Sequence, residues 1–252
     1  MKASTNRLTW PRRAGRVQRL IGIALALVGA SSAQVTAAAD DALRIGVIGT
    51  GRIGGNLAKL WARAGHELVL SSRHPDELRD LADSLGPKVR VGTPKEAAEF
   101  GEVVLISVPY AALPQIGRDL RAELNGKIVL ETGNPYPQRD GGMAEEARRK
   151  GTGVASAEFL PGVRLVRAFN AINYRDLESE AHRKGEPVAI PLAGDDSEAL
   201  VVAKRLVRDA GFEPVVVGAL SRAKEFDVAT PVYTRLLTAS ELRRELNLQS
   251  PE

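Results

Sequence analysis

Residues 44–73 read RIGVIGTGRIGGNLAKLWARAGHELVLSSR, and this stretch decides the fold of the chain. The apolar run at 45–48 has the composition of a buried parallel strand. The loop Gly49–Gly54 follows it, and apolar side chains then recur at helical spacing before a second apolar run at 68–70. Strand, Gly-x-Gly-x-x-Gly loop, helix and strand in this order predict a dinucleotide-binding βαβ unit.

Each glycine of the loop has a predicted physical role. Gly49 allows the tight turn after the strand, Gly51 lets the backbone approach a pyrophosphate, and Gly54 lets the helix pack closely on the sheet. The free N–H groups and the positive dipole end of the helix would then face the phosphates. The alternative is a turn that only requires glycine, and the flanking strand and helix favour the nucleotide site.

The end of the second strand indicates which dinucleotide binds. An NAD site usually places Asp or Glu there to bond the ribose 2′-hydroxyl, whereas this chain reads Ser71-Ser72-Arg73. Glu67 comes too early and Asp76 too late to take that role. A hydroxyl and a guanidinium suit a 2′-phosphate, which Arg binds through two parallel hydrogen bonds. The sequence therefore predicts NADP(H), with an ordinary surface arginine at Arg73 as the alternative.

The remainder of the chain continues the alternation of strands and helices. Further strands are predicted at 89–91, 102–108, 127–131, 163–168, 188–193 and 215–217. This spacing predicts an α/β fold, a Rossmann-type doubly wound and mostly parallel sheet with a small C-terminal α/β extension. The predicted domain, an NADP-binding oxidoreductase unit, covers residues 43–245. Residues 138–153, apart from a charged helix near 143–150, are predicted to be a polar surface excursion.

Ligands of such sheets lie beyond the carboxyl ends of the strands. That rule predicts one cleft, bordered by the segments that follow four strands. They are Gly49–Gly54, Ser72-Arg73, Ser107-Val108-Pro109 and Thr132-Gly133-Asn134.

The sequence contains no spacing of side chains that indicates a metal site or a catalytic residue. There is no cysteine, and three scattered histidines do not suggest a metal site, so none is predicted. Asp195-Asp196 follows a strand and favours a helix cap over a metal site. Asn170 and Asn173 would either position a carboxamide or cap the next helix. We assign no catalytic residue from the sequence.

Residues 1–39 differ from everything after them. A basic start with no acidic residue precedes the apolar run 20–28 and small residues ending in Ala37-Ala38-Ala39, which is the pattern of a secretory signal peptide. We expect cleavage after Ala39 and export, with the periplasm as the destination and no membrane span in the mature protein. An uncleaved membrane anchor is the alternative. Arg12-Arg13 raises the hypothesis of a twin-arginine signal.

The charge of the chain is distributed unevenly. The full chain carries 35 basic and 31 acidic residues, a net charge of +4, and six of the basic residues lie in the leader. Without them 29 basic residues face 31 acidic ones, so the mature part has a net charge of −2. This balance gives no argument for nucleic acid as a partner.

The loop 49–54, the Ser72-Arg73 ending and three later motifs together resemble a known family. The later motifs are PGVRLVRAFN at 161–170, Gly194-Asp195-Asp196 and GALSRAKE at 218–225. The pattern is similar to the NADPH-dependent deazaflavin oxidoreductases and to the NADPH-binding domain of the six-transmembrane metalloreductases. The resemblance implies cofactor contacts at the following positions: Thr50, Gly51, Arg52, Ile53, Ser72, Arg73, Val108, Ala168 and Asn170.

The same resemblance implies hydride transfer between NADPH and a flavin or deazaflavin co-substrate, a chemistry in which the cofactors carry the electronics. The expected partners are a small-molecule electron acceptor and, as an alternative to a monomer, a second copy of the chain. Two other functions stay open: a non-catalytic NADP(H)-binding or sensor protein, and a small-substrate imine or hydroxy-acid reductase. The second is weakened because no all-helical second domain is evident after Asn173.

Overall fold

The computed structural model describes residues 42–249, and the leader predicted at 1–39 lies outside them. Eight strands form one sheet in the order β3-β2-β1-β4-β5-β6-β7-β8. The strands are β1 (Arg44–Ile48), β2 (Glu67–Ser71), β3 (Val89–Val91), β4 (Val103–Ile106), β5 (Ile128–Glu131), β6 (Arg164–Arg167), β7 (Ala189–Gly194) and β8 (Glu213–Gly218). The order of the first six is that of a doubly wound dinucleotide-binding sheet, which confirms the predicted fold class.

The helices cover both faces of the sheet. They are α1 (Arg52–Arg63), α2 (Arg79–Leu85), α3 (Pro94–Phe100), α4 (Leu113–Asp119), α5 (Arg121–Leu124), α6 (Pro137–Asp140), α7 (Gly142–Lys150), α8 (Thr152–Phe159), α9 (Asp176–Ser179), α10 (Ser197–Asp209) and α11 (Ala239–Glu245). Short 3-10 turns occupy Pro75–Leu78, Tyr110–Ala112 and Leu220–Glu225. No helix among residues 42–249 has the length and apolarity that a membrane crossing requires.

The first six strands are parallel, and β7 reverses direction. β6 pairs with β7 antiparallel, whereas β7 and β8 are parallel to each other and are joined by α10. A parallel neighbour requires a crossover, usually a helix on the face of the sheet. The connection from β6 to β7 holds only the four-residue α9, which does not provide such a crossover. β7, α10 and β8 therefore form the small C-terminal α/β extension.

Two apolar cores lie on opposite faces of the sheet. One contains Trp61 of α1, which donates its indole N–H to the Leu206 carbonyl of α10 at 2.8 Å and meets the Phe169 ring edge-on. The other contains the buried side of α3, α4 and α8. Strands buried on both faces explain the nearly continuous apolar runs that the sequence shows.

The charged helix predicted near 143–150 is confirmed by α7, but the prediction that the rest of 138–153 is a surface excursion is wrong. Three helices, α6, α7 and α8, occupy this region, and Asp140, Ala144 and Thr152 are buried. Gly153 packs directly on the Leu220 carbonyl, so that even a methyl group there would overlap it. The small residues that resemble a loop in sequence permit this close packing instead.

Candidate functional site

The loop after β1 leads directly into an uncapped helix. α1 follows Gly51 with no side-chain cap, and its first turn holds no acidic residue. The first amides of a helix have no partner within the helix, and the helix dipole adds positive potential there. This end of α1 is therefore prepared for an anionic group such as a pyrophosphate.

The three motif glycines differ in what surrounds them. Gly49 has φ +94°, and an added Cβ would overlap the Ser107 carbonyl; at Gly54 an added Cβ would overlap the Gly49 carbonyl. At Gly51 nothing lies within 4 Å of the added Cβ. Gly49 and Gly54 are thus required by the protein itself, whereas the space over Gly51 fits a close approach of phosphate to backbone. The loop therefore fits a dinucleotide.

The end of β2 lies against this loop. The Ser71 carbonyl accepts the amide N–H groups of Gly49 and Thr50 at 3.0 and 3.1 Å, and the Thr50 hydroxyl at 3.1 Å. Ser72 follows at once; its hydroxyl oxygen accepts the His74 amide at 3.0 Å, which fixes the turn. Arg73 is exposed beside it. The structure thus brings Ser72 and Arg73 to the glycine loop, as predicted for a 2′-phosphate contact.

Arg52, at the start of α1, is held by an aromatic residue from the loop after β6. Its guanidinium donates to the Tyr174 hydroxyl at 3.0 Å and lies 4.8 Å from the centre of that ring. Asn56 donates its side-chain amide to the Tyr174 carbonyl at 2.7 Å. These contacts orient the guanidinium beside the loop, where its charge favours phosphate. Ile53 is half-buried in the first turn of α1.

The ends of β4 and β5 continue the same edge of the sheet. The Thr132 hydroxyl donates to the Ser107 hydroxyl at 3.0 Å, and Ser107 Cβ would lie 3.2 Å from a Cβ at Gly54. Val108 packs beside Gly49, and Pro109 is exposed next to it. The predicted segments after β1, β4 and β5 are therefore neighbours.

An ion pair that the sequence reasoning missed lies under the ends of β5 and β6. Glu131 and Arg167 face each other in register on the two strands, are fully buried, and form a salt bridge. Arg167 also donates to the Gly133 carbonyl at 2.8 Å, while the Glu131 carboxylate accepts the Gly133 amide. The pair thus fixes the conformation of the 131–134 loop. The sequence contains one signal for this pair: Glu131 and Arg167 are each a charged residue at the end of an apolar strand.

Further buried polar groups support this pair. Ser156 donates to Glu131 at 2.9 Å and is 3.0 Å from the Tyr110 hydroxyl. Burial raises the pKa of Glu131, with Arg167 as the main opposing influence. Burial likewise raises the pKa of Tyr110, with a smaller contribution from Glu131. Asp227, 3.9 Å from the Arg167 guanidinium, completes the cluster.

Two asparagine side chains, Asn134 and Asn170, lie beyond this buried cluster at the ends of β5 and β6. The Asn134 side-chain amide donates to the Asn170 carbonyl at 2.8 Å, which joins the ends of β5 and β6. The Oδ1 atoms of Asn134 and Asn170 are both buried without a hydrogen-bond partner among the described residues. Unpaired buried acceptors are costly, so they mark a place for a donor from outside the chain. A carboxamide N–H₂ is a donor of the required kind.

The other predicted residues near β6 have different roles. Ala168 is fully buried in one of the two cores, and its amide bonds the Glu131 carbonyl, so its side chain does not border the cleft. Asn173 accepts the Arg175 amide at 3.0 Å, which makes it a local turn residue. Asp196 caps α10 by accepting the Ala199 amide at 2.8 Å, as the sequence suggested.

Two tyrosines also lie at this end of the edge, and the sequence gave no reason to pair them. The hydroxyls of Tyr136 and Tyr233 are 2.6 Å apart, and the Asn134 side-chain amide is 3.4 Å from the second. Both rings are half-buried. The guanidinium of Arg139 lies 5.1 Å from the centre of the Tyr136 ring and donates to the Asn134 carbonyl at 2.7 Å. No signal short of a three-dimensional structure links positions 97 residues apart.

Comparisons with known proteins agree with this geometry. Residues 44–135 match the family model described as NADP oxidoreductase coenzyme F420-dependent. The F420-dependent NADP reductase of Methanothermobacter marburgensis is 28% identical over 217 residues, which cover 80% of this chain and 95% of that protein. These matches confirm the resemblance that the sequence motifs indicated.

Two further similarities extend the comparison. The metalloreductase STEAP3 of Rattus norvegicus is 27% identical over 190 residues, which cover 74% of this chain, and the chain spans only 36% of that protein. Among solved structures, a hypothetical protein of Sinorhizobium meliloti superposes with a TM-score of 0.66 at 26% identity, covering 78% of this chain and 95% of that one. The fold of this chain is therefore shared over nearly the whole length of the Sinorhizobium meliloti protein.

Proposed function

We propose that the protein is an NADP(H)-dependent oxidoreductase that transfers hydride between NADPH and a flavin or deazaflavin acceptor. The observation that carries the proposal is the open space over Gly51 at an uncapped helix start, directly beside Ser72-Arg73. A pyrophosphate and a 2′-phosphate would be bound by these two neighbouring features.

The relatives support the deazaflavin class of acceptor. F420-dependent NADP reductases match this chain over nearly their whole length, and residues 44–135 match the family model of that name. The metalloreductase matches over only about a third of its own length, so its activity is not carried over. Among residues 42–249 no all-helical second domain follows β6, which disfavours the small-substrate reductase alternative.

The residues at the β5 and β6 end would position the nicotinamide. Its carboxamide would donate to the unpaired oxygens of Asn134 and Asn170, whose loop is fixed by Glu131 and Arg167. When bound, the dinucleotide supplies the hydride, and the protein supplies alignment of donor and acceptor. Buried, pre-formed polar groups suit this task because they need little reorganisation when the ligand binds.

The direct test is NADPH oxidation by purified protein comprising residues 40–252, with coenzyme F420, FMN and FAD offered separately. We expect turnover with at least one of them and a marked preference for NADPH over NADH. Tight NADPH binding without turnover on any of the three would contradict the proposal and favour the binding or sensor function. A protein that binds neither nucleotide would contradict the cofactor assignment as well.

We further propose that the protein is exported, on the basis of the leader pattern at 1–39. Mass spectrometry of protein isolated from periplasmic and membrane fractions tests this. A mature chain that begins at Asp40 in the periplasmic fraction supports export with cleavage, and an intact chain in the membrane fraction supports the uncleaved anchor. Strains that lack one translocation route test the twin-arginine hypothesis. Light scattering of the mature protein tests the predicted homodimer.

A further inference from the structure

The sequence pattern singles out no proton donor, whereas the fold brings two tyrosine hydroxyls together at the β5 end of the cleft. The Tyr136 and Tyr233 hydroxyls lie 2.6 Å apart beside Asn134, and both rings are accessible from solvent. A dinucleotide bound with its 2′-phosphate at Ser72-Arg73 would extend from the β2 end of the edge toward β5. The hydroxyl pair is therefore at the end where an acceptor would meet the nicotinamide.

The surroundings give the hydroxyl pair a direction. Burial raises the pKa of Tyr233, and its hydrogen bond with Tyr136 adds to this. Tyr233 therefore keeps its proton and can donate a hydrogen bond to the Tyr136 oxygen. The Asn134 amide, 3.4 Å from the Tyr233 oxygen, favours the same direction, because that oxygen then acts as an acceptor. The Tyr136 hydroxyl is left with its own proton free for a further acceptor.

The charged groups around the pair are few. Arg139 lies over the Tyr136 ring and is itself paired with Asp140 at 2.8 Å. Asp227 adds to the raised pKa of Tyr233, after burial and the contact with Tyr136. A negative charge that develops during proton transfer is thus disfavoured on Tyr233.

We propose that Tyr136 is a catalytic residue that protonates the reduced acceptor, and that Tyr233 is the positioning residue whose hydroxyl donates a hydrogen bond to the Tyr136 oxygen. The inference rests on the proposed function. Net reduction of the acceptor requires one hydride, from NADPH, and one proton. The Tyr136 O–H bond breaks as the proton moves to the acceptor heteroatom that receives the electron pair, and Tyr136 then regains a proton from water. The Tyr233 hydroxyl keeps its own proton and donates a hydrogen bond to the Tyr136 oxygen throughout.

The test compares Tyr136→Phe and Tyr233→Phe with the wild-type protein, using whichever of coenzyme F420, FMN and FAD the wild type reduces. We expect kcat to fall about 100-fold or more in Tyr136→Phe, on the scale of general acid catalysis. In Tyr233→Phe we expect about a tenfold loss, on the scale of one hydrogen bond. NADPH affinity should be unchanged in both variants, and the solvent deuterium isotope effect of the wild type should be absent in Tyr136→Phe.

A second measurement does not depend on turnover. The protein has four tyrosines, which can be labelled with carbon-13 at Cζ and observed by NMR. Adding oxidised acceptor together with NADP⁺ should shift the Tyr136 signal and leave that of Tyr110 unchanged, since Tyr110 is fully buried against Ser156. Tyr110→Phe is the matched control: it removes a hydroxyl of the same type, and the solvent isotope effect should persist.

The outcomes separate the two proposals. If the wild type reduces an acceptor and Tyr136→Phe reduces it equally fast, or if the Tyr136 signal does not move, the tyrosine assignment is overturned and the proposed function stands. If the wild type reduces none of the three acceptors, the proposed function and the tyrosine assignment are both overturned. Loss of activity in Tyr136→Phe with an equal loss of NADPH affinity would also overturn the assignment, because it indicates a binding defect.

Discussion

Replacing Arg167 with Met should destabilise the protein strongly, because it leaves the Glu131 carboxylate buried without its counter-charge. In the wild type both side chains are fully buried, and the guanidinium also bonds the Glu131 and Gly133 carbonyls at 3.2 and 2.8 Å. Removing one partner of a buried pair typically costs about 3–5 kcal/mol. For a domain of this size that corresponds to a decrease in Tm of about 6–20 °C.

The loss should depend on pH with a defined sign. Burial raises the pKa of Glu131 in the folded state, and Arg167 opposes this, so the variant should have a still higher pKa. At a pH above the pKa of Glu131 in the unfolded chain, the native state of the variant still holds a proton that the unfolded state has released. The free energy of unfolding therefore falls as the pH rises. The destabilisation in Arg167→Met should accordingly shrink as the pH is lowered toward 4.5, the ordinary pKa of a glutamate carboxyl.

Urea unfolding of four proteins measures this: wild type, Arg167→Met, Glu131→Gln and the double variant. The double variant should be more stable than Arg167→Met, since it buries no uncompensated charge. A loss of less than about 1 kcal/mol in Arg167→Met, on the scale of an exposed ion pair, would refute the reasoning. A double variant no more stable than Arg167→Met would refute it equally.

Three further predictions concern the nucleotide site and one buried histidine. Arg73→Glu should lower the ratio of kcat/KM for NADPH to kcat/KM for NADH by about 10–100-fold, the scale of a charged hydrogen bond. Arg73→Lys is the control, because it keeps the positive charge. An unchanged ratio in Arg73→Glu would contradict the 2′-phosphate assignment. Gly51→Ala should weaken NADPH binding, measured by calorimetry, and leave the midpoint of thermal unfolding unchanged. Gly54→Ala should lower that midpoint, because only the Cβ at position 54 would overlap backbone atoms. Equal unfolding midpoints of the two variants would contradict the packing argument. Burial lowers the pKa of His66 below 6.5, so its folded state resists protonation and stability should fall as pH drops below about 6.5. That fall should be absent in His66→Gln, and its persistence there would assign it to other groups.

Local signals in the sequence were sufficient for the nucleotide half of the site. Gly49, Gly51 and Gly54 lie within six residues, and they are flanked by a continuous apolar run, typical of a buried parallel strand, and by a helix with the apolar period of 3.6. Ser72-Arg73 follow within one further helix and strand. Because each of these features acts over a short stretch of chain, the fold class, the strands and the predicted NADP(H) end could be read without coordinates.

The other half of the cleft depends on pairing between distant parts of the chain. Glu131 and Arg167 become neighbours only through the register of β5 and β6. Tyr136 and Tyr233 meet only because the reversed β7 and the chain after β8 return to the β5 end of the sheet. In sequence each of these four is a single polar residue among many. Their burial, partners and charges arise from tertiary contacts, since the low polarity of the interior and the direction of each hydrogen bond exist only once the sheet has formed.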